Sequence, residues 1–377
     1  MPTSSLSRRS FSKLTGVTAV YAALQSGRGV EASWHSLLPD ATSSNATDVV
    51  RLSSNESPYG PCPAALKAMM DGRSISWRYP DENADMLIGE ISRLHAVPAD
   101  QILLGNGSGE ILKLSAAAYT GKDKKIVIAN PTFEAIARHA GVAKAEVVKV
   151  DLTSDYRHDL QKMLAMAQGA GLVYICNPNN PTASITPKNE ISDFLAKLSP
   201  QTAVLVDEAY HHYVENKDYD SMIPLIKQYP NLIVARTFSK IYGMAGLRCG
   251  YCITQPENIG ALRAHQTWDS VNIMAIVAAL ASLKDPEHVG RTRKLNSDVK
   301  KSVCAELDSL GYRYISSNAN FMMINLRREV RPIIDALRNR GVEVGRLFPA
   351  LPTFLRVTIG TSAEMKQFLT AFRQVMS

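Results

Sequence analysis

The sequence has no long apolar run after its first few dozen residues. Beyond Leu24 no segment approaches the ~20 consecutive apolar residues of a membrane-spanning helix, so stable membrane insertion is not expected. Basic residues exceed acidic ones, 42 to 35, but they never form a block of five or six like charges. Nucleic-acid binding is therefore not expected; a mildly basic chain that handles phosphate or carboxylate is the simpler account. Cysteine is sparse: Cys62, Cys176, Cys249, Cys252 and Cys304. Cys249 and Cys252 form a C-x-x-C inside the apolar run Leu247–Thr254. In a strand, side chains three apart point to opposite faces. No second pair or histidine cluster completes a zinc site, so these thiols read as buried and inert, and no metal is expected. Internal repeats and low-complexity tracts are absent, which excludes solenoid and fibrous classes.

What is present begins at the N-terminus. Ser7-Arg8-Arg9-Ser10-Phe11-Ser12-Lys13 and the weakly apolar Leu14–Leu24 resemble a twin-arginine export signal, with Val30-Glu31-Ala32 as a small-residue cleavage site. Residues 1–32 are read as that segment, which implies a periplasmic destination. Without it the protein would be cytoplasmic.

At 377 residues the chain exceeds the ~250–300 residues at which one hydrophobic core usually stops growing. The expected division is a linker and N-terminal segment over 33–75, a large domain over 76–275 and a small α+β domain over 276–377. In the large domain, short continuous apolar runs alternate with helical patterns. They are Ile102–Leu104, Ile126–Ala129, Val147–Val150, Leu172–Cys176, Ala203–Val206, Leu232–Ala235 and Gly250–Ile253. Runs of this kind suit strands buried on both faces, in a three-layer α/β domain with a mainly parallel seven-stranded sheet. A helical stretch follows from Asn272 to Leu310. Then Tyr312–Ile315, Phe321–Leu326, Val342–Val344 and Leu355–Ile359 read as strands, with one helix over Val330–Arg340.

Polar signals gather at the C-terminal ends of the large-domain strands, where open α/β sheets bind ligands. Leu104-Gly105-Asn106-Gly107-Ser108-Gly109-Glu110 breaks into glycines and opens a helix, whose free N–H groups favour an anion. Asp207 follows Ala203–Val206. A carboxylate there needs a cationic partner or strong donors, or else caps a helix. Arg236-Thr237-Phe238-Ser239-Lys240 ends the next strand, with Arg248 eight residues after Lys240. A desolvated lysine near another cation becomes a nucleophile, and a guanidinium pairs phosphate. Asn177-Pro178-Asn179-Asn180-Pro181-Thr182 forms a third loop, explicable by turn chemistry alone or by donors to a ligand oxygen.

In combination these motifs resemble the class I/II, or fold type I, pyridoxal-phosphate-dependent aminotransferases, most closely the histidinol-phosphate aminotransferase branch, from about residue 50 onward. The resemblance implies pyridoxal 5'-phosphate held by Lys240 as a Schiff base, with Lys240 also shuttling the α-proton. It implies Asp207 paired to the pyridinium nitrogen, and Tyr210 and Asn180 directed at the ring oxygen. Phe133, in Asn130-Pro131-Thr132-Phe133, matches the stacking aromatic. Gly107, Ser108, Thr237, Ser239 and Arg248 match the phosphate cradle. Tyr79, in Arg78-Tyr79-Pro80-Asp81, matches a tyrosine that reaches the phosphate from the partner of a homodimer with shared active sites. Arg356 matches the arginine that grips substrate carboxylate or phosphate. Tyr59, in Asn55-Glu56-Ser57-Pro58-Tyr59-Gly60, belongs to the segment that folds over the substrate. The implied activity is ping-pong transfer of an amino group from a small-molecule donor to a 2-oxo acid. Decarboxylation of a phosphorylated amino acid on the same cofactor and a non-catalytic binding protein are the alternatives. The sequence departs from the family's usual pattern at Gly109, at Ala183 and at Arg346, the last displaced by one residue. The apolar loop Leu347-Phe348-Pro349-Ala350-Leu351-Pro352 also points away from histidinol phosphate, toward an aromatic or apolar amino acid.

Overall fold

A computed structural model describes residues 49–377. The proposed export signal and residues 33–48 of the linker and N-terminal segment lie outside the described residues. The chain opens on β1 (Val50–Leu52) and then builds a seven-stranded sheet from β2 (Ile102–Gly105), β3 (Lys125–Asn130), β4 (Val147–Asp151), β5 (Ala170–Cys176), β6 (Ala203–Asp207), β7 (Leu232–Thr237) and β8 (Gly250–Ile253). The strand order is β2-β8-β7-β6-β5-β3-β4. Only β8 runs against its neighbours; the other pairings are parallel.

Every residue of β5, β6 and β7 is buried, which is why these strands read as continuous apolar runs rather than alternating ones. Successive residues divide between two cores. Val127, Val173 and Val204 face one layer, and Ile126, Leu172 and Leu205 the other. The C-x-x-C divides in the same way, Cys249 into the first core and Cys252 into the second. Burial pushes both thiols up to about 12, so they are inert as nucleophiles at neutral pH.

The remainder forms β9 (Arg313–Tyr314), β10 (Phe321–Asn325), β11 (Val342–Val344) and β12 (Phe354–Thr358). Strands β12, β10 and β9 make an antiparallel sheet, while β11 pairs in parallel with β1 from the start of the described chain. A separate apolar core lies here, joining Val50 and Leu52 to Leu326, Leu337 and Phe368. The helical stretch read over 272–310 is broken in two, Ile273–Leu283 and Pro286–Ser309. Pro286 has no N–H to continue the first helix, and Asp285 caps the second by accepting from the backbone N–H of Glu287 and His288, each at 3.1 Å. Among the described residues no helix is long and apolar enough to cross a membrane.

Candidate active site

The C-terminal ends of β5, β6 and β7 and the start of β8 open into one cavity of about 740 Å³. Ser108, Phe133, Asn180, Asp207, Tyr210, Thr237, Ser239, Lys240, Arg248 and Arg356 all line it. Lys240 and Asp207 thus share a single chamber.

Asp207 ends β6 and is 3% exposed. It caps no helix. Its Oδ2 accepts from the Tyr174 hydroxyl at 2.9 Å and its Oδ1 from the backbone N–H of Ala209 at 3.1 Å. Burial nevertheless raises its pKa to about 6 against those hydrogen bonds. A carboxylate so placed wants a cation. Lys240 is the converse case. Its Nζ donates to the carbonyl oxygens of Asn55 (3.0 Å) and Ser54 (3.3 Å). Desolvation first, then the nearby Arg356 and Arg248 charges, bring its pKa down to about 8 despite Glu56 and Asp207. That is the environment that makes a lysine amine nucleophilic.

The anion cradle lies on the other side. The helix Ser108–Tyr119 begins without a side-chain cap, leaving free N–H groups at its positive end. Glu110 Oε2 accepts from the Asn106 N–H at 2.7 Å and braces the loop that leads into it. Gly107 does not itself line the cavity but permits the approach of Arg248. Its φ is +72°, and a Cβ there would stand 2.5 Å from Arg248 Nη2. Arg248 also has positive φ, +64°, and its Nη1 donates to Ala245 O at 2.9 Å. Thr237 Oγ1 accepts from the Ser239 N–H at 3.1 Å and fixes the turn between them.

Another wall of the cavity is built around Arg356 of β12. Its Nη1 donates to Asn180 Oδ1 at 2.9 Å and its Nη2 to Ser53 O at 2.6 Å. Its Nε is buried with no protein partner. A buried donor without an acceptor is costly, so this guanidinium is suited to an anionic ligand. Tyr210 Oη accepts from Asn55 Nδ2 at 3.1 Å and from Asn180 Nδ2 at 3.3 Å. Burial raises its pKa, so it keeps its proton.

One sequence-derived assignment falls elsewhere in the structure. Tyr59 is not part of the cavity wall; the N-terminal segment presents Ser53, Ser54, Asn55 and Glu56 instead. Asn55 has φ +55°, and the following turn, in which the Gly60 N–H donates to Ser57 O, packs its backbone where a Cβ on Gly243 would otherwise sit. This carries Tyr59 toward Glu364 and Asp298, which with burial raise its phenol pKa. Tyr79, expected to serve the site of a partner subunit, stands outside the cavity of its own chain and is 80% exposed.

Sequence reasoning missed Tyr174, Asn55 and a buried ion pair beneath the site. In that pair Arg236 Nε donates to Glu208 Oε2 at 2.7 Å, and Arg236 Nη2 donates to Ser221 Oγ at 2.9 Å. Asn55 stood inside a quoted motif, and its side-chain role had no local signal. Tyr174 is indistinguishable from core in the sequence. Arg346 enters the cavity wall despite its one-residue displacement, together with Arg338 and Glu343.

A mainly parallel sheet with a lysine, a buried aspartate and an arginine-backed helix start in one chamber defines a fold type I pyridoxal-phosphate enzyme. The chain belongs to the family aminotransferase class I and II, which its residues 47–372 match. It is 39% identical over 334 residues to the histidinol-phosphate aminotransferase of Moorella thermoacetica, covering 88% of this chain and 86% of that protein. It is equally 39% identical over 331 residues to the enzyme of that name from Symbiobacterium thermophilum, covering 87% and 91%. The crystal structure of histidinol-phosphate aminotransferase from Sinorhizobium meliloti in complex with pyridoxal-5'-phosphate superposes with a TM-score of 0.83 at 26% identity, covering 87% of this chain and 91% of that one. The protein is a pyridoxal-phosphate-dependent aminotransferase.

The residues present fit the cofactor. The unneutralised, buried Asp207 matches a protonated ring nitrogen, and the Gly107–Arg248 approach with the bare helix start matches a phosphate. When bound, pyridoxal phosphate supplies an aldehyde carbon and an electron-withdrawing ring. Lys240 Nζ, desolvated and with its pKa brought down to about 8, would hold that carbon and would be the base that moves the substrate's α-proton. Asp207 would pair the ring nitrogen and favour its protonated form. Tyr210 Oη, which stays protonated, and Asn180 Nδ2 would be the donors available to the ring oxygen. Phe133 and the segment 53–56 line the same cavity and would bound the space such a ring takes.

Proposed function

We propose that the amino donor carries an anionic tail beside its amine, with histidinol phosphate the leading candidate and a 2-oxo acid as acceptor. The observation that carries this reading is the set of cations on the substrate side. Arg356 keeps a buried, unpartnered Nε, and Arg346 and Arg338 line the same wall. Arg346 is held there by Glu134 at 2.7 Å, in place to exchange that partner for a phosphate. The names of the similar enzymes point the same way. The apolar loop supports a second reading, an aromatic or apolar amino-acid donor. Phe348 is 4% exposed and lies 5.1 Å from the Arg356 guanidinium carbon.

A panel of donors, histidinol phosphate, aromatic and aliphatic amino acids, tested against 2-oxoglutarate and pyruvate discriminates the two. Exchange fastest with histidinol phosphate is the expected result. Exchange with aromatic amino acids alone refutes the phosphate assignment.

We also propose a homodimer in which Tyr79 reaches the partner's phosphate site. The support is a run of exposed apolar side chains, Leu66, Met70, Trp77, Tyr79 and Met86, of the kind that marks interaction surfaces. Export through Arg8-Arg9 is proposed on the sequence resemblance alone. In either setting the chemistry of the cavity is the same.

A further inference from the structure

Away from the cavity, the break between the two helices of the 273–309 stretch faces the start of the helix Pro63–Gly72. Three side chains of different ligand chemistry meet there: Cys62, Asp285 and His288. One ligand atom from each lies within 4.8 Å of the other two. Cys62 is 1% exposed and His288 3% exposed. His288 Nε2 is buried with no hydrogen-bond partner, a condition that burial of a polar atom normally forbids.

The carboxylate is half committed. Asp285 Oδ1 caps the helix Pro286–Ser309, and its Oδ2 accepts no hydrogen bond among the described residues. Cys62 occupies the N-cap position of its own helix yet makes no capping bond. Its Sγ donates only weakly, to Ser282 Oγ at 3.9 Å, and Ser282 in turn turns to Met244 Sδ at 3.5 Å. Tyr242 stacks on the His288 ring, with centroids 6.1 Å apart and planes 24° from parallel, which fixes the ring's orientation.

We infer that Cys62, Asp285 and His288 form a structural binding site for a zinc-class divalent ion. Thiolate sulfur, imidazole nitrogen and carboxylate oxygen are the three donor types zinc takes from proteins, and this mixture disfavours magnesium or calcium, which take oxygen. Tetrahedral ligands at ~2.0–2.3 Å from zinc stand roughly 3.5 Å apart. The three atoms therefore need to close by roughly 1 Å, within reach of side-chain rotation. A water molecule completes the fourth position. Binding releases the thiol proton to solvent, and no electron changes hands. Cys62 lies outside the 740 Å³ cavity, so the ion takes no part in amino transfer. It ties the start of the helix Pro63–Gly72, and with it the segment that delivers Ser53–Glu56 to the cavity, to the start of the helix Pro286–Ser309.

The test uses untagged holoenzyme, stripped of metal by a chelator and dialysed, then titrated with zinc chloride. The expected result is one zinc per chain, a melting temperature raised by a few degrees, and X-ray absorption fine structure with one sulfur scatterer at ~2.3 Å. Cys62→Ala and His288→Gln should each weaken binding by at least about 100-fold. Asp285→Asn preserves the helix cap, since Asn caps as well as Asp, yet should weaken zinc by about 10-fold or more. Failure of the wild type to take up stoichiometric zinc, or a sulfur-free ligand shell, overturns the site. If the first two variants do not fold, an Asp285→Asn protein with unchanged zinc affinity overturns it equally.

Discussion

Gly107→Ala separates two quantities that act at one residue. At φ +72° and ψ 163°, a region essentially confined to glycine, an L side chain costs about 1–3 kcal/mol in backbone strain, and this strain weakens the folded state with or without cofactor. The new methyl carbon also stands 2.5 Å from Arg248 Nη2 and must push the guanidinium off the phosphate position. A charge-assisted hydrogen bond contributes about 1.5–3 kcal/mol, and each 1.4 kcal/mol is tenfold. Cofactor affinity should therefore fall about 10- to 150-fold. Gly169→Ala supplies the control. Its φ is also positive, +70°, but nothing lies within 4 Å of the added carbon, so it carries a positive-φ penalty without any displacement of a side chain. Titration of the two apoenzymes with pyridoxal phosphate, followed by absorbance and paired with thermal melts, reads both effects. Both variants should melt a few degrees early, and only Gly107→Ala should lose the cofactor. Equal cofactor affinity in the two variants would show that Arg248 does not hold the phosphate from beside Gly107.

Lys240→Ala should abolish turnover and the long-wavelength absorbance of covalently held cofactor; activity retained at the wild-type level ends the assignment. Asp207→Asn should slow turnover by about 10²–10³-fold, the loss of one member of a buried ion pair. It should also change how the apoenzyme responds to pH. The Asp207 carboxyl titrates near 6 when folded and at 3.8 when unfolded, so the native state binds more protons in between and stability falls as pH rises through that window, by about 3 kcal/mol in full. The variant's melting temperature should lose that decline, and an unaltered profile would contradict the burial penalty. Arg356→Ala should raise the donor KM by about 10- to 100-fold while cofactor affinity changes little; the reverse pattern would place Arg356 on the wrong ligand. Replacing Arg8 and Arg9 together by Lys should keep the full-length protein in the cytoplasm of a host with a twin-arginine pathway, and unchanged secretion in fractionated cells would remove the export proposal.

The large sheet was legible because strands covered on both faces have no polar side to hide their apolar runs. The groups at its carboxyl edge were legible for the complementary reason, since polar residues that abut such runs must have partners. Contacts closed over long sequence separations were not legible. Asn55 meets Tyr210 across 155 positions and Thr358 across 303, and nothing local to either announces it. Tyr174 is one aromatic in a buried strand until Asp207 is seen beside its hydroxyl. Tyr59 was misplaced because a positive φ at Asn55 turns the chain away, and a motif does not state its own backbone angles. The break at Asp285-Pro286 carried a strong signal, a capping residue followed by proline, that the apolar periodicity on either side concealed.

The reversed strand β8 has a consequence for how the enzyme handles its two ligands. Because Thr237 pairs directly with Gly250, residues 238–249 form one short loop, and that loop carries both the cofactor's amine anchor and its arginine. The spacing between those anchors is set within a dozen residues of chain, on the rigid sheet. Arg356, proposed for the donor's anionic group, rides instead on β12 between Leu355 and Val357 of the smaller core. The groups proposed for the retained ligand and the group proposed for the exchanged one are thus anchored in different cores, so a change in either core alters one without moving the other.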